Sequence, residues 1–389
     1  MEWLIIGGGI QGCTLASYLV RQGGTDPRNM VIVDPHSSPL KNWLHCTGKI
    51  GMTYLRSPFV HHLSPSPFSL ESFAKKENDP SPFTGRQKKP KLDLFNRHSL
   101  TEFEEAGLMN SWKQGRVTGL KKRGSSWEVT LSHGEIISAK KTAIAIGLGE
   151  QPYWPEWARE LKDSRPDRIF HVFDRDWSIE GLSGPVTVIG GGITAAHLTL
   201  ALGKHLPGKV TMVRRHPFRL HEFDSDPGWM GQKYMGPFQR ERSLHKRREM
   251  IRSARHRGSV PRPLVRSLMN AEREGLASLK QMSIDDVTET PSGSVILSDR
   301  DANNTCESET VILATGFEQT PPGMDWLSPL IRDEQLACAQ CGYPAVPDNL
   351  EWCDHLYVTG GLAELALGPA ARNISGARRG AGRIVEHHC

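Results

Sequence analysis

Residues 3–12 read Trp3-Leu4-Ile5-Ile6-Gly7-Gly8-Gly9-Ile10-Gln11-Gly12, and this stretch decides the fold. A short apolar run of strand type enters three glycines, and Cys13–Arg21 continues with apolar residues at helical spacing. Met30–Val33 reads as a second buried strand, ending at Asp34, 22 residues past Gly12. Strand, glycine turn, helix, strand and acid, in that order, make a dinucleotide-binding unit. Gly7 permits the tight turn, Gly9 lets the backbone approach a pyrophosphate, and Gly12 lets the helix pack closely on the strand. The helix start offers unpaired amides and a partial positive charge to the phosphates. Asp34 can accept hydrogen bonds from a ribose hydroxyl and would repel a 2′-phosphate.

The pattern returns once. Pro185–Ile189 runs into Gly190-Gly191-Gly192-Ile193-Thr194-Ala195, with Ala195 at the close-packing third position. A helix through Ala196–Leu202 and a strand Val210–Val213 follow, and Arg214-Arg215-His216 stands where the first unit has its aspartate. A guanidinium pairs with a 2′-phosphate in bidentate fashion, so Arg214, supported by Arg215 or His216, predicts NADPH over NADH. Two such motifs in one chain need two dinucleotides, and FAD in the first with NADPH in the second is the economical assignment.

Thr142–Gly147 and Val311–Phe317, the latter containing Thr315-Gly316, read as strands ending in a glycine beside a nucleotide. Each follows an alternating apolar stretch, Trp127–Leu131 and Val295–Leu297, that predicts a small antiparallel meander. Leu356–Gly361 is a strand and turn, and Gly368–Ala377 leads into a last helix. The expected fold is α/β, with two Rossmann-like units. The NADPH-binding domain, 166–317, is inserted into an FAD-binding domain formed by 1–165 and 318–389.

Composition agrees. At 38% hydrophobic and 23% charged residues the chain is of globular type rather than disordered, and a net charge of +5 suits anionic small ligands without arguing for nucleic acid. No apolar run approaches the roughly 18 residues of a membrane helix, and Leu4–Ile6 lacks a basic leader, so a cytoplasmic protein is expected. Seven scattered cysteines do not form a disulfide framework. Residues 75–91 read as an exposed loop, and the basic stretch 240–257 as a helix with a solvated outer face. No aromatic residues interleave that stretch, so nucleic acid is not an expected partner.

With these motifs in place, the chain resembles the two-dinucleotide-domain flavoproteins, and among them the class B flavoprotein monooxygenases. Gly-Gly-Gly-Ile-Thr-Ala-Ala at 190–196 and Ala314-Thr315-Gly316-Phe317 are similar to the ornithine and lysine N-hydroxylating branch, as are Met52–Pro58 and Ser66–Leu70. The resemblance implies that Gly7, Gly9, Gly12 and Asp34 hold FAD, and that Met52, Thr53 and the residues to Arg56 line the flavin. It also implies that Gly360 and Gly361, with the helix start at Asn373–Ala377 that contains Gly376, close over the ribityl and ring end. Gly190, Gly192, Thr194 and Arg214 would hold NADPH. The chain departs from the family at the Phe-x-Gly-x-x-x-His signature, where Ile169–Asp174 keeps a histidine, His171, but not the glycine. No counterpart of the branch's amino-acid-binding residues is found.

The activity implied is that of an FAD-containing, NADPH-dependent monooxygenase. With molecular oxygen it would oxygenate a soft nucleophile, the nitrogen of a small amine or the sulfur of a thiol or sulfide, through a peroxyflavin. The cofactor carries the hard step, so no dedicated acid–base pair is required. Arg56, His62 and His171 are the candidate catalytic residues. His61 and His62 are adjacent, so only one would face the ring. Gly228–Gly231 and Tyr234–Phe238 are candidates for the substrate wall. One rival reading uses Cys338-Ala339-Gln340-Cys341, which has the spacing of a redox dithiol and would make an NADPH-dependent thiol or disulfide oxidoreductase. A zinc clip with Cys353 and His355 has poor spacing, and no metal site is expected. The third reading is a non-enzymatic FAD/NADPH-sensing or binding module.

Overall fold

Two parallel sheets carry the architecture of the computed structural model, which describes residues 1–388. The first has six strands in the order 351–353, 356–358, 141–144, 3–6, 30–34, 112–114, all parallel except the edge strand 351–353. Trp3–Ile6 lies at its centre, paired with Met30–Val33 on one side and Lys141–Ile144 on the other. All four of its residues are buried, which is why the run is apolar throughout rather than alternating. The helices Ile10–Arg21 and Ile374–His388 pack against one another beside this sheet. The second sheet has five strands, all parallel, in the order 169–171, 310–313, 186–189, 210–214, 277–281. Its strands fall between the two portions of chain that build the first sheet. The α/β class expected from the glycine motifs is the one observed.

The two alternating stretches form the expected meanders. Ser126–Leu131 sits between Val117–Arg123 and Ile136–Ala139, and Val295–Ser298 between Asp286–Glu289 and Thr305–Ser308, all antiparallel. Within 75–91 the chain makes a two-stranded hairpin, Phe83–Thr84 with Lys89–Pro90, where only a loop was expected. Among the described residues no helix is long and apolar enough to cross a membrane.

The basic stretch is the main correction. Its helix, Leu244–Ala254, has the expected solvated face, with His245, Lys246, Glu249 and Arg252 exposed, but turns Arg247 and Arg248 inward. Arg247 donates to the carbonyls of Gln239, Glu241 and Leu365. Arg248 pairs with Glu364, a carboxylate with 0% exposure that also receives Arg255 at 3.3 Å and Arg372 at 2.8 Å. Arg255 further donates to the Pro369 carbonyl at 3.0 Å. The segment 364–372 thus supplies acceptors that a helix in water would not need to find.

Three guanidinium groups converge on this one buried carboxylate. Glu364→Gln removes the carboxylate that these buried arginines pair with and should cost about 3–5 kcal/mol, read as a lowered midpoint in urea unfolding. A midpoint equal to that of the unmodified protein would mean that solvent, not Glu364, balances them.

Candidate functional site

At the first glycine turn each glycine has its own steric reason. Gly7 has φ +108, and a Cβ there would lie 2.8 Å from the Ala145 carbonyl oxygen. At Gly12 a Cβ would lie 1.8 Å from the Gly7 carbonyl oxygen, so helix and strand touch through backbone. Gly8, which the motif leaves free, would drive a Cβ to 2.0 Å from the Trp112 ring. Gly9 is different: a Cβ there would meet nothing within 4 Å. Gly9 is also the N-cap of the helix Ile10–Arg21 and offers no side-chain cap, so the first amides remain free for an anion. Asp34 stands at the end of the neighbouring strand. Its carboxylate accepts from the Gly8 amide at 2.7 Å and from the amide and ring of His36 at 2.9 and 2.7 Å. Those bonds fix its direction and leave lone pairs for ribose hydroxyls.

These groups line one end of a cavity of about 1120 Å³. Gln11, inside the glycine turn, ties in the far end of the chain. Its amide donates to the Ala371 carbonyl at 3.1 Å and its carbonyl accepts from Thr359 at 3.4 Å. Gly360 follows with φ +63, packed so closely on Gln11 that a Cβ would come within 2.9 Å. Asn373 and Ser375, at the start of the last helix, reach the cavity, and a Cβ on Gly376 would meet the Ala370 carbonyl oxygen at 2.2 Å. Met52 lines the cavity, whereas Thr53 is exposed and gives its carbonyl to the Leu92 amide. An open backbone face, an uncapped helix start, an oriented acid and a cavity of about 1120 Å³ together fit FAD.

The second turn repeats the backbone. Gly190 would place a Cβ 2.6 Å from the Ala314 carbonyl oxygen, and Gly192 caps the helix Ile193–His205 without a side-chain bond. Thr194 turns into the main cavity. Arg214 donates to the carbonyl of His216 at 2.9 Å and to Gln281 at 2.7 Å, and its guanidinium lies 4.4 Å over the Phe218 ring. Arg215 is exposed. Thr315 donates to the Tyr153 carbonyl, and Gly316, with φ +85, accepts from the Tyr153 amide at 2.9 Å.

Of the three catalytic candidates, Arg56 alone lines the cavity, and three of its contacts are already spent. It donates to the carbonyls of His221 and Glu222 at 2.7 and 3.0 Å and to Ser259 at 2.9 Å, bracing the 221–259 segment. His62 is buried away from the cavity, donating to the Pro67 carbonyl at 3.2 Å and meeting His98 edge-on at 5.0 Å. Its neighbour His61 is the member of the pair at the wall. Burial, with Arg378 and Arg379 nearby, pushes His61 down to about 4. His171 is buried behind Phe173 and Phe317, two stacked rings 5.6 Å apart that do reach the cavity. Burial holds it near 4 as well.

Some of the site lay outside the motifs. The segment 223–230 brings Phe223, Asp224, Asp226 and Met230 to the wall, while Trp229 is buried behind it against Tyr234 and Phe238. Arg116 and Glu150 form a bidentate pair at the rim, at 2.6 and 2.8 Å. Of the candidate wall segments Gly228–Gly231 and Tyr234–Phe238, Met230 reaches the cavity, and Asp224 and Asp226 just before them carried no motif of their own. Cys338 and Cys341 do not line the cavity, and burial raises the Cys338 thiol instead of activating it.

Two glycine cradles, one followed by an acid and one by arginine, joined by a single cavity, define a two-dinucleotide-domain flavoprotein. The sequence model of the L-lysine 6-monooxygenase/L-ornithine 5-monooxygenase family matches residues 115–319, more than half of the chain, and an FAD-NAD(P)-binding model matches residues 4–149. The chain belongs to the L-lysine 6-monooxygenase/L-ornithine 5-monooxygenase family. It is a flavin-dependent, NADPH-dependent oxidoreductase, a monooxygenase acting with oxygen on a small-molecule amine. Solved structures share its fold at low identity. DfoA, the cadaverine monooxygenase of Erwinia amylovora, is 15% identical with a TM-score of 0.74, covering 99% of this chain and 94% of its own. The ornithine hydroxylase PvdA of Pseudomonas aeruginosa is 17% identical with a TM-score of 0.74 and 99% coverage of both chains. The bacillithiol disulfide reductase Bdr of Bacillus cereus, 16% identical, covers 99% of this chain and 98% of its own at a lower TM-score of 0.62. No curated protein matches the chain in sequence.

Two outcomes follow from this geometry. Gly9 has an ordinary extended backbone, φ −81 and ψ −165, and open space beside it, so Gly9→Ala should keep its thermal melt while losing flavin affinity by about tenfold or more. Gly12→Ala should cost about 3 kcal/mol or more by overpacking. Visible flavin absorbance and circular dichroism separate the two. The buried histidines set a pH dependence. His61, His98 and His171 are pushed to about 4 and His62 to about 3, against 6.5 when free. Between those values the unfolded chain binds more protons, so stability is full above about 6.5 and is lost as pH falls towards 4. A urea midpoint lower at pH 5 than at pH 7.5 is expected; equal midpoints would show that these rings are solvated.

Proposed function

We propose that this chain oxygenates the nitrogen of a small primary amine within the 1120 Å³ cavity. The observation that carries the reading is continuity. One cavity runs from the glycine turn at Gly7–Gln11, past Thr194 of the second cradle, to the acidic segment at Asp224 and Asp226. When bound, FAD supplies the redox chemistry that couples NADPH to oxygen. The chain's own residues do the rest. The first cradle fixes the flavin nucleotide through the amides after Gly9 and through Asp34. The Phe173–Phe317 stack keeps water from one wall. His61, held neutral, presents a lone pair rather than a cation to a nitrogen that must itself be neutral to react. Asp224 and Asp226 offer negative charge to a cationic group at the substrate's other end. We assign residues 1–165 and 318–389 to the FAD domain and 166–317 to the NADPH domain, in a cytoplasmic protein.

The test is an oxygen-electrode screen of diamines, basic amino acids, thiols and sulfides with FAD-loaded protein. Amines should raise oxygen and NADPH consumption together and yield a hydroxylamine. Asp224→Asn should raise KM for the best amine by about tenfold, about 1.4 kcal/mol, with kcat little changed. Cys338→Ser and Cys341→Ser should leave turnover within about twofold. NADPH oxidation that needs no oxygen and is lost in either cysteine variant would replace this reading with disulfide reduction.

A further inference from the structure

The two cradles share their backbone but not the space above it. Gly9 and Gly192 are equivalent, each the glycine whose missing side chain marks where a pyrophosphate approaches. At Gly9 that space is open. At Gly192 a Cβ would meet the Cα of Gly258 at 3.3 Å and its carbonyl carbon at 3.8 Å. The backbone of the turn 256–260 therefore covers the place that the dinucleotide needs.

This turn is fastened from several sides. The His256 amide donates to the Asp224 carbonyl at 2.7 Å, and the Ser259 amide to the His256 carbonyl at 3.2 Å. Ser259–Val260 pairs in parallel with Arg219–Leu220. The rings of His221 and His256 stack 3.6 Å apart and nearly parallel. Arg56, from the flavin side of the cavity, donates to the Ser259 hydroxyl at 2.9 Å. Arg257 donates to the side chain of Gln319, beyond the last strand of the second sheet. Gly258 has φ +64, a conformation that glycine takes without strain, so the turn can be drawn down onto Gly192.

We propose that the turn 256–260 is a strap that closes the second cradle and lifts from Gly192 when NADPH enters. The inference rests on NADPH using the second cradle. A pyrophosphate and the Gly258 backbone cannot share one volume, so binding selects the lifted state, and apparent affinity is reduced by the fraction of chains in which the strap is down. Ser259 and Val260 are buried and form the fixed root of the strap, whereas Arg257 and Gly258 are exposed. The link from Arg257 to Gln319 joins two exposed side chains, which is a weak tie.

Hydrogen exchange on the FAD-loaded protein, with and without NADP⁺, reads the strap directly. The peptide covering 254–261, which holds the His256 and Ser259 amides, should exchange faster in the NADP⁺ complex. Gln319→Ala, which removes the tie and no phosphate ligand, should bind NADP⁺ about fivefold more tightly by calorimetry, and His221→Ala, which removes the ring stack, should shift the same way. Protection retained at 254–261 in the complex, or affinities in both variants no better than the parent, would overturn the strap. Loss of all NADP⁺ binding in parent and variants alike would instead remove the second cradle as the NADPH site, and the strap with it.

Discussion

At Gly12 there is room for a hydrogen and little else, because a methyl group would sit 1.8 Å from the Gly7 carbonyl oxygen. That contact lets the helix Ile10–Arg21 begin directly over the end of the strand Trp3–Ile6. Everything at the first cradle is downstream of it. The free amides face the cavity only because the helix starts there, and Asp34 is aimed only because the Gly8 amide reaches it at 2.7 Å. Gln11 rides on the same turn and draws in 359–373, so residues more than 340 positions away close the site. At the second turn Ala195 takes the third position, so the methyl group that Gly12 excludes is accommodated there.

The second sheet is set against the first by arginines reaching carbonyl groups. Arg56 reaches 221–222, Arg247 reaches Leu365, Arg255 reaches Pro369, and Arg379 reaches Trp229 and Met230. A guanidinium is a planar fork of donors, so each such contact fixes direction as well as distance. Buried charges of this kind contribute little net stability compared with apolar packing, and what they give is a defined arrangement. For a cavity formed between two units, arrangement is what matters, since the width of the wall depends on where 223–230 comes to rest.

What could be read from the sequence was what is decided locally. A glycine turn, its helix and the acid or arginine after the next strand lie within about 35 residues, and the steric demands act between near neighbours. The burial of the arginines could not be read this way. Arg247, Arg248 and Arg255 show the spacing of a solvated helix, and each has a partner more than 100 positions on, in an Ala- and Leu-rich stretch where Glu364 looks like any surface acid. Alternation says that one of His61 and His62 faces inward, but His98 and Pro67, which take His62, decide which. The position of Gly258 over Gly192 left no mark beyond a glycine among basic residues.

The histidine kept in the segment Ile169–Asp174 serves the cavity without lining it. His171 ends the strand Ile169–His171, where its Nε2 donates to the Gly316 carbonyl at 3.2 Å and its Nδ1 accepts from the Phe173 amide at 3.4 Å. Both ring nitrogens are occupied, and burial keeps the ring neutral well below working pH. Such an imidazole has neither a proton nor a lone pair to offer a substrate. The Gly316 carbonyl also takes the Tyr153 amide, and Phe317 bridges to Pro152, so three segments meet at this point. Phe173 and Phe317, which the histidine holds between strand and crossing, form part of the cavity wall. His171 therefore acts on the chemistry through the position of two aromatic rings. A histidine that had to exchange protons with a ligand could not be locked into the backbone in this way.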